Sequence, residues 1–370
     1  MKFISIVLIL SLSSLSLLPR TAYSLYQDPG NPTKADMFLS ESFEMGPGSV
    51  AVKNLMNIKF PKGHIGVKSF DVELVDEDGN SIPLYETYFH HWFAIRYFVN
   101  TTMLANHEPH LDLSKGYIFK RNEGICNSYI LPHYWGLGGE SRGTSSHIPD
   151  PFAVELGNPT ETPDGHEEQW LFNIMVIDTR GVQDKRGCAE CRCDHFNLSK
   201  DFYNVTKDIH GQPLTTNYKG GLFCCQDNLQ SKLRKGFQGP TRKVEYMIPT
   251  SDGDNTLHVQ KAKIPIEKGG YLIYGTAHMH AGAVNATLYG QDGRILCTST
   301  PTYGTGKKAG NEEGYVVAMS VCYPQPGSIK IHDGETLTLE SRYKREFQTG
   351  AMGHFYIYLA DQVPHEGVKT

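Results

Sequence analysis

The sequence predicts an all-β protein: two antiparallel β-sandwich domains, jelly-roll-like, with a cysteine-rich insertion between them. Three observations carry that reading. Twenty Tyr and 17 Phe accompany 37 Gly and 20 Pro in 370 residues, the composition of many short strands joined by turns. Apolar residues recur at every second position in several runs, which is the period of a half-buried strand. No segment carries the spacing of a long amphipathic helix. The expected division is a leader over residues 1–24, a first sandwich over 25–180, the insertion over 181–240 and a second sandwich over 241–370.

In chain order, Met1-Lys2 gives a short positive start, Phe3 to Leu18 is apolar with interspersed serines, and Ala22-Tyr23-Ser24 puts small residues at a cleavage site. This is the pattern of a secretory signal peptide. It is too short, and too interrupted by Ser and Pro19, for a membrane anchor, and no later run is long enough to span a bilayer. Residues 25 to about 60 are rich in turns. Val67, Phe70, Val72 and Leu74 then mark a strand that ends at the Asp76-Glu-Asp-Gly-Asn turn. Pro83 to Val99 is a second β-rich run, 100 to 168 is loop-heavy, and Glu168 to Thr179 reads as one buried strand. After the insertion, Lys261 to Lys268 reads as a short edge segment around Pro265. Gly270-Tyr-Leu-Ile-Tyr leads into Gly275-Thr-Ala-His278-Met-His280, and Val284 to Tyr289 continues it. Glu335 to Tyr343 alternates, and Gly350 to Leu359 is the last strand.

A secreted chain uses its cysteines first as disulfides. There are eight: Cys126, Cys188, Cys191, Cys193, Cys224, Cys225, Cys297 and Cys322. Cys297 and Cys322 are candidates for a local bridge. Cys188, Cys191, Cys193 and His195 have the spacing of a zinc knuckle as well, but an oxidising compartment favours disulfides. Asn100, Asn197, Asn204 and Asn285 begin glycosylation sequons. A net charge of −5 with no basic block excludes a nucleic-acid footprint. There is no nucleophile elbow, phosphate-binding loop or dinucleotide fingerprint. The clustered carboxylates at Glu167-Glu168 and Asp76-Glu77-Asp78 read as turn residues, so solvated charge is their default reading.

What remains is a set of metal-ligating side chains. His278 and His280 are two apart on a strand and therefore point to one face, where they could share an ion. His90 and His91 are neighbours, so both reach one ion only where the strand bulges; otherwise one lies in the core beside Trp92 and the other outside. Met352, with His354 two residues on, adds a sulfur donor, although a Met in a last strand is more often core filler. Imidazole with thioether is a donor set suited to copper.

The order His-His, then H-x-H, then Met in a Met-Gly-x-Phe-Tyr-Ile-Tyr strand resembles the copper type II, ascorbate-dependent monooxygenases of the peptidylglycine-hydroxylating and dopamine β-type. The resemblance implies two sandwich domains that each hold a copper. The first would use His90, His91 and a third histidine; the second would use His278, His280 and Met352. The strand expected to carry the third histidine has Met175 instead, with His133, His147 and His166 as loop alternatives. Thr276 stands where the peptide-amidating enzymes have a substrate-binding Arg, while Tyr356 keeps a Tyr four residues after the Met. A C-terminal glycine peptide is therefore not the expected substrate.

The chain also resembles, over nearly its whole mature length, the plant stress up-regulated nodulin family. The marks are His90-His-Trp, Ile177-Asp-Thr-Arg-Gly-Val, Gly187-Cys-Ala-Glu-Cys-Arg-Cys-Asp, Gly221-Leu-Phe-Cys-Cys and Ala277-His-Met-His-Ala-Gly. The leading expectation is a secreted copper protein with one or two ions, acting on a small substrate with O2 and a reductant such as ascorbate. The alternative is a non-catalytic extracellular binding or structural protein that keeps the sandwich fold.

Overall fold

The computed structural model describes residues 2–11, 35–46, 50–55, 63–102, 117–119, 133–180, 245–248, 256–346 and 348–363. The 181–240 insertion, Cys126, the five cysteines within the insertion, Asn197 and Asn204 lie outside them. The strands in the first half are β1 Lys2–Ser11, β2 Ala35–Leu39, β3 Phe43–Met45, β4 Val50–Leu55, β5 Ile65–Val67, β6 Phe70–Val75, β7 Thr87–Asn100, β8 Tyr117–Phe119, β9 His133–Leu137, β10 Val154–Leu156 and β11 His166–Asp178. Those in the second half are β12 Glu245–Ile248, β13 Leu257–Pro265, β14 Gly270–Met279, β15 Ala283–Tyr289, β16 Ile295–Ser299, β17 Pro301–Tyr303, β18 Val316–Met319, β19 Val321–Cys322, β20 Lys330–Ile331, β21 Thr336–Lys344 and β22 Gln348–Ala360. A 3-10 turn spans Gly139–Arg142. The expected all-β, antiparallel, sandwich-like class is what the chain adopts.

In the first half one sheet runs β4-β11-β7-β8, with β9 also paired to β7, and a second contains β2-β1-β3 with β6 on β1. The alternation read over Val67 to Leu74 has a direct outcome. Phe70, Val72 and Leu74 of β6 enter one core with Phe89 and Trp92 of β7 and Phe172 and Ile174 of β11. Trp92 stacks on Phe172 at 5.2 Å and receives the edge of Phe70 at 5.4 Å, geometries that add to simple area burial.

In the second half β12-β22-β14-β19, with β20 on β14, faces β13-β21-β15-β16. β13 is an edge strand that pairs only with β21 in that order and stops at Pro265, as a residue without an N–H donor requires. One point differs from the sequence reading. Val284 to Tyr289 does not continue the H-x-H strand. The chain turns at Ala281-Gly282, with Gly282 at φ 86°, and β15 joins the opposite sheet. A positive φ is unstrained only without a Cβ. In the full-length chain the segment read as a leader is placed as β1, with Ser5 to Leu10 paired with Val75 to Phe70 of β6; the reading of residues 1–24 as a cleaved leader is neither upheld nor overturned by this pairing. An apolar run with many Ile and Leu residues next to an open strand edge finds its backbone partners there.

Cys297 and Cys322 are bonded, with Cα atoms 5.9 Å apart, and tie β16 to β19 across the two second-half sheets. The two halves share apolar contacts. Tyr315 and Val317 belong to the first-half core, and Ile148 packs with Ile273, Tyr274 and Ala360. β14 is thus covered on both faces, which matters for the residues it carries.

Candidate metal centre

Ala277 and Met279 of β14 point into the second-half core. Strand alternation then turns His278 and His280 the other way, toward β7 of the first half. On β7 the pairing with β11 slips: Met175 opposes His91, but Val176 opposes Phe89. His90 is the extra residue of a bulge, the one local geometry that lets consecutive side chains share a side. Its ring nitrogen Nδ1 lies 2.8 Å from Nδ1 of His91.

The consequence is one cluster. The His280 ring centroid stands 5.0 Å from that of His90 and 5.1 Å from that of His278. His90, His278 and His280 are each no more than 2% exposed. The resemblance assigns His90 and His91 to one centre and His278 and His280 to another. The first-half pair and the second-half pair are in ring contact, because the bulge on β7 and the outward face of β14 meet between the halves.

Among the described residues no three His, Cys, Asp or Glu side chains are drawn up as a ready metal site. The rings of His90, His278 and His280 nevertheless lie close together. Two imidazoles that each place a nitrogen ~2.0–2.1 Å from a shared ion have centroids about 5 Å apart. Nδ1 of His278 is 2.5 Å from Oε1 of Glu140, while its Nε2 is buried with no hydrogen-bond partner. A buried polar atom left in this way is costly unless a ligand completes it.

The remaining candidates are distributed around this cluster. Met352 is buried on β22. The Tyr343 hydroxyl accepts the His280 N–H at 2.9 Å and the Met352 N–H at 3.1 Å, and donates to the Met352 carbonyl at 2.6 Å. One phenol thereby links the end of the H-x-H strand to the methionine backbone. Met175 opposes His91 across the bulge. His354 opposes His278, their rings 6.2 Å apart, and Tyr356 opposes Thr276. Of the loop histidines, His147 lies with Lys68 and Asp150, and His166 has Nδ1 2.9 Å from the Asp164 carbonyl, at the far end of β11 from His91. His133 is on β9 opposite Ile95. Asn100 and Asn285 are half-buried, and Asn100 Oδ1 accepts from the Thr102 hydroxyl of its own sequon.

Burial, and secondarily the nearby His278, pushes the His90 imidazole down to about 3. It is neutral at ordinary pH, with a lone pair to give. The sign follows from linkage. A histidine whose folded value lies below its unfolded value contributes stability that is complete above about 6.5 and is lost as pH falls toward 3. Asp71, raised to about 6 by burial, acts in the opposite sense. The metal-free protein is therefore expected to lose more stability between pH 6.5 and 4 than its His90→Gln variant, as measured by urea unfolding at each pH.

Glu140 was not visible in the sequence as a site residue. It sits in a glycine-rich loop 138 positions from His278, and nothing local marks it. The two halves together define an all-β protein with a buried histidine cluster at their junction. The family model described as "Stress up-regulated Nod 19" matches residues 31–249 and 241–362. The chain belongs to that stress up-regulated family. No curated protein and no solved structure matches it. No helix among the described residues is long and apolar enough to cross a membrane.

Proposed function

We propose that this chain is a secreted copper protein that holds one ion between its two halves and works as a monooxygenase-like oxidoreductase on a small substrate. The observation that carries the reading is the convergence of His90, His278 and His280, with ring centroids 5.0 and 5.1 Å apart. His278 and His280 present two imidazoles from one strand face, and His90 presents a third from the bulge opposite. Met352 is a buried sulfur donor on β22, the strand that pairs with β14. Copper bound by such a set supplies one-electron chemistry with O2, and a small reductant such as ascorbate would return the electron.

The residues set limits on what reaches the centre. Burial of all three rings excludes bulk water and any large polymer. Tyr88, whose ring is 6.0 Å from that of His280, closes one side. Thr276, rather than a basic residue, lies two positions before His278 and offers no charge to a substrate carboxylate. These features favour a small, weakly charged substrate.

The test is reconstitution of the purified chain with copper, with metal content and O2 uptake followed in the presence of ascorbate. The expected result is about one copper per chain, lost in His278→Ala, with uptake that depends on the same residue. Metal content well below one per chain and unchanged by His278→Ala overturns the reading and leaves a non-catalytic extracellular protein. The mature N-terminus, read by mass spectrometry, is expected near residue 25.

A further inference from the structure

We propose that Glu140 is the positioning residue of the cluster. Its carboxylate holds the His278 proton on Nδ1, so that the Nε2 lone pair faces the junction between the halves. The inference rests on the copper reading for its consequence, but not for its geometry. Glu140 is 2% exposed and its Oε1 lies 2.5 Å from His278 Nδ1. The same oxygen accepts the Gly138 N–H at 3.1 Å. A carboxylate only accepts, so the arrangement we propose has the ring donate from Nδ1. The other nitrogen, Nε2, is then the unprotonated one, and it is the buried atom with no partner. A histidine that ligates through one nitrogen and is held through the other by a carboxylate is the usual way in which a ring is oriented and its basicity raised.

The loop is built to make that approach. Glu140 belongs to the Gly139–Arg142 turn, whose Ser141 N–H bonds the Gly138 carbonyl at 3.1 Å. At Gly138 a Cβ would stand 2.6 Å from Cε1 of His278, 2.6 Å from the His90 carbonyl and 2.9 Å from Glu140 Oε2. A side chain there would separate the carboxylate from the ring. The turn is fixed at its far end, where the Thr144 hydroxyl donates to the Glu140 carbonyl at 2.7 Å and accepts the Met319 N–H at 2.9 Å. Glu140 is thus attached to both halves before it touches His278.

The experiment uses the full-length chain labelled with 15N-histidine, without metal, and reads the His278 tautomer from its ring nitrogen shifts. The expected result is the Nδ1–H form in the native chain and in Glu140→Gln, whose amide oxygen still accepts, and loss of that preference in Glu140→Leu. Copper titration of the same proteins is expected to show about a 10-fold loss of affinity in Glu140→Gln and up to ~100-fold in Glu140→Leu. An Nε2–H tautomer in the native chain overturns the proposal. So does a tautomer that is indifferent to Glu140→Leu in a protein whose circular dichroism is native. If the tautomer responds as expected but copper does not bind to any variant, the copper reading fails while the role of Glu140 in orienting the ring stands.

Discussion

Replacing His90 by Ala is expected to abolish stoichiometric copper binding by the whole chain, although His278, His280 and Met352 are untouched. This outcome separates one shared centre from two independent ones. If each half held its own ion, His90→Ala would empty the first site and leave about one copper on the second-half ligands. In the structure the His90 and His280 rings are in contact across the junction, so the substitution removes a ring from the cluster these residues form. The loss should exceed the ~10–100-fold that changes in outer-shell partners cost, because a donor itself has gone. Equilibrium dialysis against a copper chelator of known affinity checks the result. A retained, tightly held copper in His90→Ala would restore the two-centre arrangement implied by the resemblance to the copper monooxygenases. His90 is fully inside, so circular dichroism on the same sample must show that the variant has folded.

Arg142→Met is expected to destabilise the protein by about 3–5 kcal/mol, the usual consequence of breaking a buried ion pair from one side. Arg142 lies at the end of the turn that carries Glu140. Its guanidinium reaches Glu73 of β6 at 2.6 Å and Glu312 of the second half at 2.7 Å. Both carboxylates are buried, and Glu312 also accepts the Leu84 N–H at 3.0 Å. Without the guanidinium two like charges remain in a low-dielectric space between the halves. Lysine would not substitute, since one ammonium cannot reproduce the fork that serves two carboxylates at once. The physical cause is isolated by a second variant. Arg142→Met combined with Glu73→Gln and Glu312→Gln should recover a large part of the loss, because the stranded charges are removed. Urea unfolding at pH 7 measures both. An Arg142→Met protein within about 1 kcal/mol of the native chain would mean that the triad is solvated in solution and does not fasten the halves.

Much of this architecture could be read from the chain before any coordinates. The alternation at Phe70, Val72 and Leu74, the buried run ending at Asp178 and the final strand around Met352 all follow the two-residue period, because each strand has a core on at least one side. The H-x-H pair was legible for the same reason: alternation alone puts His278 and His280 on one face. His90-His91 was legible only as a condition, since a regular strand separates neighbours. The bulge that satisfies the condition depends on the Met175–Val176 slip in β11, a partner more than 80 positions away. Glu140 was not legible at all, and neither was the merging of the two histidine pairs. Both depend on how two sandwiches dock, and docking is decided by interlocking of Tyr315, Val317, Ile148 and Tyr274 across the junction rather than by any local pattern. The return of the chain at Ala281-Gly282 was missed for a simpler cause. β-like residues flank it on both sides, and the one Gly with positive φ is the only sign that the strand changes sheet.

The enclosure of three imidazoles between the halves has a kinetic corollary. The three rings are each no more than 2% exposed among the described residues, so on the copper reading an ion or a substrate would reach them only through local opening between β7 and β14. On that reading uptake by the finished protein would wait for that opening, and its rate would be independent of copper concentration once copper is in excess. Release obeys the same gate. Loading during folding would be fast and loading afterwards slow, so metal supply at the time of synthesis, more than the equilibrium constant, would set how much of the protein carries its ion.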